Sequence, residues 1–98
     1  MSRVILTRLA QSDFKDIGRY IGQHNEPAAK TWVRKLRTTC KTTIASFPQC
    51  GTQFDHLLSG MRAFSVGQYV IFFRGRNPVE ILRVVHGAMD FSQLKFTD

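Results

Sequence analysis

Cysteine is scarce in this sequence, and its two cysteines are not spaced as metal ligands. Neither Cys40 nor Cys50 belongs to a CxxC pair, and no histidine lies at ligand spacing from them. The sequence therefore predicts no metal site. An export signal is also missing, because the apolar run Val4–Leu6 near the N-terminus is too short to be one. We therefore expect a cytoplasmic protein whose two thiols stay reduced.

Long apolar runs and the common catalytic motifs are absent as well. No stretch approaches the roughly 18 apolar residues of a membrane span, so no membrane partner is predicted. The sequence contains no GxSxG, no HExxH and no phosphate-binding glycine-rich loop. The three histidines, His24, His56 and His86, stand alone, and no nucleophile has a matching base. We therefore predict no catalytic residue and no cofactor. For His86, at the end of a strand, a structural role and a functional one both stay open.

Acidic residues are few: the 98 residues contain 7 Asp and Glu against 14 Lys and Arg, which gives a net charge of +7. Such an excess favours a negatively charged partner, whether nucleic acid, an acidic protein or an anionic membrane, unless it only keeps a basic surface soluble. The length predicts one domain, spanning residues 1–98. A core this small gives modest stability, so surface buried by a partner would add to it.

Two amphipathic helices are predicted in the first half of the chain. The first covers Arg8–His24, after a Thr7 hydroxyl suited to capping it. Its apolar positions recur on one face: Ala10, Phe14, Ile17 and Ile21. Its charged positions fall largely off that face: Asp13, Lys15, Asp16 and Arg19. The second helix covers Glu26–Phe47, is capped by Asn25 and has Pro27 in its first turn.

The second helix carries a basic stripe beside its apolar one. The apolar stripe consists of Ala29, Trp32, Val33, Leu36, Cys40, Ile44 and Phe47. The basic stripe lies roughly a quarter turn away at ~100° per residue and consists of Lys30, Arg34, Arg37 and Lys41. This stripe is either a solvated helix face or a docking surface for an acidic partner.

The second half of the chain is predicted to be β structure after a loop over Pro48–Gly60. Strands Met61–Val66 and Tyr69–Arg74 flank Gly67-Gln68, which suits a two-residue hairpin turn. The register of that hairpin places three pairs on one side of the sheet: Phe64 opposite Ile71, Val66 opposite Tyr69, and Arg62 opposite Phe73. A second turn over Gly75–Pro78 precedes the last strand.

The last strand, Val79–Val85, is dense in apolar residues and is expected inside the sheet, whereas Arg3–Leu6 is expected at its edge. The tail Gly87–Asp98 is left unassigned. The sequence therefore predicts an α+β fold in the order β-α-α-β-β-β, with a two-helix hairpin packed on a small antiparallel sheet.

Three arginines lie in or at the ends of the apolar strands: Arg62, Arg74 and Arg83. A guanidinium buried without partners is costly, so each must reach the sheet edge, an acidic side chain or a ligand. Their stems can pack on the sheet while the charged ends reach water. Alternatively, they form a cationic face that meets a phosphate or a carboxylate-bearing partner.

An ordered set of residues resembles one known family over Val4–Asp90. In the first helix the set comprises Ala10, Asp13, Phe14, Ile17, Tyr20 and Ile21. In the second helix and the loop it comprises Asn25, Ala28, Ala29, Leu36, Phe47, Pro48 and Gly51. The most specific parts are the blocks Gly60–Arg74 and Val79–Asp90. Together they resemble the ParE branch of the ParE/RelE toxins of toxin–antitoxin systems.

The resemblance implies the β-α-α-β-β-β fold and a cognate antitoxin. The C-terminal segment of such an antitoxin wraps the toxin and its N-terminal part binds operator DNA, so that operator DNA is an indirect partner. The RelE branch cleaves messenger RNA on the ribosome. The ParE branch poisons DNA gyrase without a recognised catalytic site.

The residues that distinguish the two branches favour the gyrase-directed one. Ribosome-dependent members carry an arginine where this chain has Tyr69 and another where it has Met89. Neither side chain supplies a fixed positive charge beside a scissile phosphate. Relatives often carry arginine at the position of Ala88 or Met89, so toxicity could be weak. The alternatives are an mRNA interferase with a non-standard site, and a non-toxic binding module, either a degenerate toxin or a basic nucleic-acid-binding domain. The residues expected to bind antitoxin or target are Arg62, Arg74, Arg83, His86, Met89 and Asp90.

Overall fold

A short strand and a capped helix open the fold in the computed structural model, which describes residues 2–97. β1 (Val4–Leu6) leads into α1 (Arg8–Gly22). The Thr7 hydroxyl accepts a hydrogen bond from the Ala10 amide at 3.3 Å, which confirms the predicted cap. The helix ends two residues before the predicted His24. The predicted domain of residues 1–98 is thus described except for Met1 and Asp98.

The second helix also begins at its predicted cap. The Asn25 side chain accepts a hydrogen bond from the Ala28 amide at 3.0 Å, and α2 spans Glu26–Thr39. Asn25 itself is extended, with φ −159° and ψ 96°, so α1 has to end before it. The helical path continues beyond α2 as a π-helical segment, Cys40–Ile44, and ends close to the predicted Phe47.

Five strands form one mixed sheet in the order β1-β5-β4-β3-β2. The remaining strands are β2 (Thr52–Gln53), β3 (Met61–Val66), β4 (Tyr69–Gly75) and β5 (Val79–His86). The predicted α+β fold and its β-α-α-β-β-β order are confirmed, with two refinements. β1 pairs with β5 in parallel, and the two-residue β2 forms within the predicted loop. β1 lies at the edge and β5 inside the sheet, as expected.

The β3–β4 hairpin has the predicted register, with Val66 opposite Tyr69 across the turn. Gly67 adopts φ +59° in that turn, a conformation that side chains rarely tolerate. A Cβ at Gly67 would also lie 2.5 Å from the ring of Trp32 on α2. Glycine is therefore needed there both for the turn and for the close packing of the helix hairpin on the sheet.

The sheet is apolar on both faces, and a second apolar face was not predicted from the sequence. One face packs against α1 and α2 through Phe14, Leu36, Ile71 and Phe73. The other face, with Phe72 at its centre, is covered by loop residues 54–58 and by the C-terminal tail. Within that tail a 3-10 turn (Phe91–Gln93) and the buried Phe96 pack on the sheet. The unassigned tail therefore covers this face of the sheet through Phe91, Leu94 and Phe96, and Asp98 lies outside the described residues.

Among residues 2–97, no helix is both long enough and apolar enough to cross a membrane.

Candidate functional site

A buried ion pair joins α1 to the last strand. The Asp13 carboxylate accepts two hydrogen bonds from the Arg83 guanidinium, at 2.7 Å from Nε and 2.9 Å from Nη2. The third nitrogen of Arg83, Nη1, donates to the Lys95 carbonyl of the tail at 2.7 Å. Hydrogen bonding to Asp13 raises the pKa of Arg83 further above its ordinary value. Helix, strand and tail are thus tied together at one guanidinium.

The short length of β1 explains why this ion pair is needed. β1 pairs with β5 only as far as Leu6 opposite Ile81, so the outer edge of β5 is left without a strand beyond that point. The Asp13 carboxylate accepts the Val84 backbone amide of that edge at 2.9 Å. An unsatisfied buried amide and an unpaired buried arginine would each be costly, and one carboxylate satisfies both.

Two sequence-based interpretations are corrected by this geometry. Asp13 does not lie off the buried face of α1, because its side chain is only 8% exposed. Arg83 is not available to pair with an acidic partner, since its donors are directed to Asp13 and the tail. A strand arginine was expected to reach the sheet edge, an acidic side chain or a ligand, and Arg83 pairs with an acidic side chain.

A groove of about 500 Å³, here called the sheet-edge groove, lies between α1 and the unpaired end of β5. Three positions singled out in the sequence come together in it: Tyr69, His86 and Met89. The Tyr69 and His86 rings meet edge-on, with centroids 5.8 Å apart. Burial raises the pKa of the Tyr69 phenol, and the nearby Tyr20 raises it to a smaller extent. His86 is exposed, and its Nδ1 accepts the Ala88 amide at 3.1 Å.

The charges around the sheet-edge groove are paired with one another, Asp13 with Arg83 and Asp16 with Arg19. Its charged lining residues are Asp13, Asp16 and Arg83. Since Arg83 is bound to Asp13, the groove offers no free guanidinium to a ligand. Its rim also carries two exposed side chains suited to protein contacts, Tyr20 at 68% and Met89 at 48%. Sequence reasoning did not select Tyr20 for binding, although an aromatic residue on the polar side of a helix was a usable signal.

A second groove, the helix groove, runs between α1 and α2 and has a volume of about 710 Å³. All four residues of the predicted basic stripe line it: Lys30, Arg34, Arg37 and Lys41. Its floor is apolar or small, with Phe14, Gly18, Gly22, Ala29 and Val33. Arg37 is half-buried, and its guanidinium lies 4.6 Å from the centre of the Phe14 ring. The stripe is therefore the cationic wall of an apolar channel.

The other two strand arginines lie away from both grooves. Arg62 donates to the Cys50 carbonyl at 2.9 Å, and the Arg74 Nε lies 3.5 Å from the Glu80 carboxylate. Both line a third concavity at the opposite end of β4 from Tyr69.

Asp90 is exposed and caps the 3-10 turn of the tail, where its carboxylate accepts the Ser92 amide at 3.0 Å and the Ser92 hydroxyl at 2.7 Å. These two hydrogen bonds lower the pKa of Asp90. The predicted binding residues are thus distributed over separate surfaces.

Comparison with known proteins identifies the family. Residues 4–91 match the family model described as the ParE toxin of the type II toxin–antitoxin system parDE. The chain is also 35% identical over 86 residues to Toxin ParE1 of Caulobacter vibrioides, covering 87% of this chain and 88% of that protein. This chain belongs to the ParE family. It is therefore a toxin of the ParE type within the ParE/RelE superfamily, and the resemblance seen in the sequence is confirmed.

More distant relatives agree with this assignment to the ParE family. Toxin ParE1 of Mycobacterium tuberculosis is 27% identical over 92 residues, which cover 91% of this chain and 93% of that protein. Two solved structures share the fold at 19% identity. One comes from the chromosomal ParDE system of P. aeruginosa, with a TM-score of 0.72 over 88% of this chain and 96% of that chain. The other comes from the toxin–antitoxin complex RelBE2 of Mycobacterium tuberculosis, with a TM-score of 0.62 over 87% and 96%.

Proposed function

We propose that this ParE-family toxin inhibits DNA gyrase by binding it, without catalysing a reaction of its own, and that a cognate antitoxin neutralises it. The observation that carries the proposal is the chemistry of the sheet-edge groove. Cleavage of a phosphodiester requires an acid, a base and fixed cations around the phosphate. The two positions compared with arginines of the ribosome-dependent branch, Tyr69 and Met89, both line this groove and bring no charge to it.

The remaining charges of the groove support the same proposal. Its one guanidinium, that of Arg83, is already neutralised by Asp13, and Asp16 adds a further carboxylate. A phosphate backbone would therefore find no uncompensated cation among the lining residues. Inhibition by binding requires only a complementary surface, and the exposed Tyr20 and Met89 are of the residue types that protein interfaces favour.

The helix groove supports neutralisation by an antitoxin. An apolar channel with a cationic wall complements an amphipathic helix whose polar side is acidic. Residues Lys30, Arg34 and Lys41 are exposed along that wall. The RelBE2 relative was solved as a toxin–antitoxin complex. We propose that operator DNA is contacted only through the antitoxin, and that the toxin acts in the cytoplasm, where gyrase is found.

The proposal is tested with the purified full-length chain in two assays, gyrase supercoiling and messenger RNA cleavage on translating ribosomes. We expect supercoiling to be inhibited and RNA to stay intact. Met89→Glu should weaken inhibition by roughly tenfold or more, because it replaces an exposed apolar side chain of the proposed contact by a charge. Phe47→Glu is the matched control, since Phe47 is 66% exposed and lines none of the grooves.

Either of two outcomes would overturn this assignment. Cleaved messenger RNA with unaffected supercoiling would identify an mRNA interferase with a non-standard site. Activity in neither assay would identify a non-toxic binding module. Addition of the neighbouring gene product should restore supercoiling if that product is the antitoxin.

A further inference from the structure

Three arginines surround a concavity of about 310 Å³, here called the arginine cavity, at the end of the β3–β4 hairpin away from its turn. They are Arg62 at the start of β3, Arg74 near the end of β4, and Arg76 just after β4. Arg74 is five residues beyond Tyr69 on β4, or about 17 Å along an extended strand. The arginine cavity is therefore separate from the sheet-edge groove and from the helix groove.

The Arg62 side chain is held in place by the backbone of the preceding loop. Its Nε donates to the Cys50 carbonyl at 2.9 Å, and its Nη2 donates to the Gly51 carbonyl at 3.2 Å. These carbonyls carry no net charge, so the positive charge of the guanidinium is oriented but not neutralised. A cation whose position is fixed in advance loses less conformational entropy when it binds an anion.

Arg74 and Arg76 retain donors for a ligand. The Arg74 Nε lies 3.5 Å from Glu80, at the outer limit of a hydrogen bond, so its two terminal nitrogens are free of that contact. Arg76 is exposed and takes part in none of the three ion pairs found among residues 2–97. Both side chains line the cavity. Arg74 is opposite Met61 and Arg62 is opposite Phe73, so these two arginines reach the cavity from opposite faces of the sheet.

The lining of the cavity contains one opposing charge. Asp55 is the carboxylate among the lining residues, and one of its oxygens accepts the Gly60 amide at 2.9 Å. Counting also Glu80, which pairs with Arg74, three positive groups stand against two negative ones, so the cavity keeps a positive charge of about one. Like charges gathered at one place raise the energy of the empty site, and a bound anion relieves this repulsion.

We propose that the arginine cavity binds a phosphate group, either of a small phosphorylated molecule or of a nucleic-acid backbone. Guanidinium groups pair with phosphate oxygens through charge-assisted, often two-point hydrogen bonds. A phosphate directs its oxygens toward several sides, which suits arginines that reach the cavity from different directions. A carboxylate presents two oxygens in one plane and is a poorer geometric match for such an arrangement. This site is additional to the proposed gyrase inhibition, whose argument uses other residues.

The test is calorimetric titration of the full-length chain with inorganic phosphate at constant ionic strength. Arg74→Ala and Arg76→Ala should each weaken binding about tenfold, the effect of losing a charge-assisted hydrogen bond. Asp55→Asn should strengthen binding about threefold, because an amide keeps the contact to Gly60 but removes the opposing charge. Arg62 is not substituted, since its loss would also release the loop.

Arg8→Ala is the matched control for charge. Arg8 is exposed and lines none of the cavities described, so its removal should change phosphate affinity less than about twofold. Thermal melting of each variant checks that the fold is retained. The proposal fails if neither inorganic phosphate nor a single-stranded DNA oligonucleotide binds. It also fails if Arg8→Ala weakens phosphate binding as much as Arg76→Ala does.

Two more probes separate the sources of phosphate. A single-stranded DNA oligonucleotide is titrated beside a peptide nucleic acid of the same bases, which lacks phosphates. If inorganic phosphate binds and the oligonucleotide binds no more tightly, the ligand is a small phosphorylated molecule. Oligonucleotide binding that is at least tenfold tighter, and that is lost in Arg76→Ala, identifies a nucleic-acid backbone. Equal binding of the oligonucleotide and the peptide nucleic acid would contradict recognition of phosphate.

Discussion

At the scale of single residues, one carboxylate has several structural roles. Asp13 accepts hydrogen bonds from the Arg83 guanidinium and from the Val84 amide, so it compensates a charge and a backbone group together. A pair so far removed from water interacts strongly, and its members are costly to leave unpaired. The exposed pair Asp16–Arg19 on the same helix, with side chains 66% and 73% exposed, is screened by solvent.

Asp13→Asn should lower the free energy of unfolding by about 3 kcal/mol, because it leaves the Arg83 charge without a counter-ion in a partly buried place. Asp16→Asn is the matched control, with an expected change below about 0.5 kcal/mol. Urea unfolding followed by circular dichroism measures both. Similar small losses in the two variants would show that the buried pair adds no more than a surface pair.

The two cysteines should differ in reactivity. Burial raises the pKa of Cys40 to about 12, so this thiol stays protonated at pH 8 and is also out of reach of a reagent. Burial raises the pKa of the half-buried Cys50 as well. We expect a thiol reagent at pH 8 to label Cys50 in the native chain and Cys40 only after unfolding. Cys50→Ser should abolish labelling of the native protein, and fast labelling of that variant would contradict the helix packing.

At the scale of elements, the C-terminal tail belongs to the core. Phe72 of β4 contacts the rings of Phe91 and Phe96 edge-on, each with a centroid separation of 5.0 Å. The Lys95 carbonyl accepts a hydrogen bond from Arg83, which holds the tail against the sheet. Without the tail, part of the second apolar face of the sheet would be exposed to water.

Phe96→Ala should therefore destabilise the protein by about 3 kcal/mol, the usual effect of emptying a buried aromatic position. Phe47→Ala serves as its control, because Phe47 is 66% exposed and its loss should change stability by less than about 0.5 kcal/mol. Chemical denaturation of both variants measures their free energies of unfolding. Equal stabilities would mean that the tail does not contribute to the cooperative fold.

At the scale of the whole molecule, the chain carries more positive than negative charge, and its proposed binding surfaces are separated in space. The charges of the sheet-edge groove are paired, the helix groove has a basic wall, and the arginine cavity gathers cations at the far end of β4. The net charge of +7 thus describes no single binding surface. Different partners can bind the same small domain at different places.

Binding of an acidic antitoxin should raise the melting temperature, because a ligand that binds only the folded state stabilises it in proportion to its affinity and concentration. We expect the chain to melt several degrees higher with the neighbouring gene product, and more so as that product is added in excess. The double variant Lys30→Glu with Arg34→Glu should lose most of this shift, whereas Arg8→Glu should keep it. An unchanged melting temperature with the wild-type chain would refute the proposed partnership.

Local chemistry in the sequence was enough to predict both helices, four of the five strands and their order, but neither the two-residue β2 nor the 3-10 turn of the tail. The capping groups of Thr7 and Asn25 and the glycine of the Gly67-Gln68 turn act through neighbouring residues. The hairpin register follows from that turn, and the family resemblance follows from the order of such features. All of these depend on residues close together in the chain, so no tertiary information was needed to infer them.

Only the tertiary structure decided how distant charges and apolar residues are paired. Asp13 and Arg83 are 70 positions apart, and their pairing depends on where β1 ends beside β5. The tail had no periodic pattern, yet Phe96 is buried because both faces of β4 are apolar and the second face requires a cover. Arg76 lies in the predicted turn Gly75–Pro78, where no pattern marked it for binding, and it joins Arg62 and Arg74 only because the hairpin brings the strand ends together. Side chains far apart in sequence meet through the path of the backbone, which local pattern does not specify.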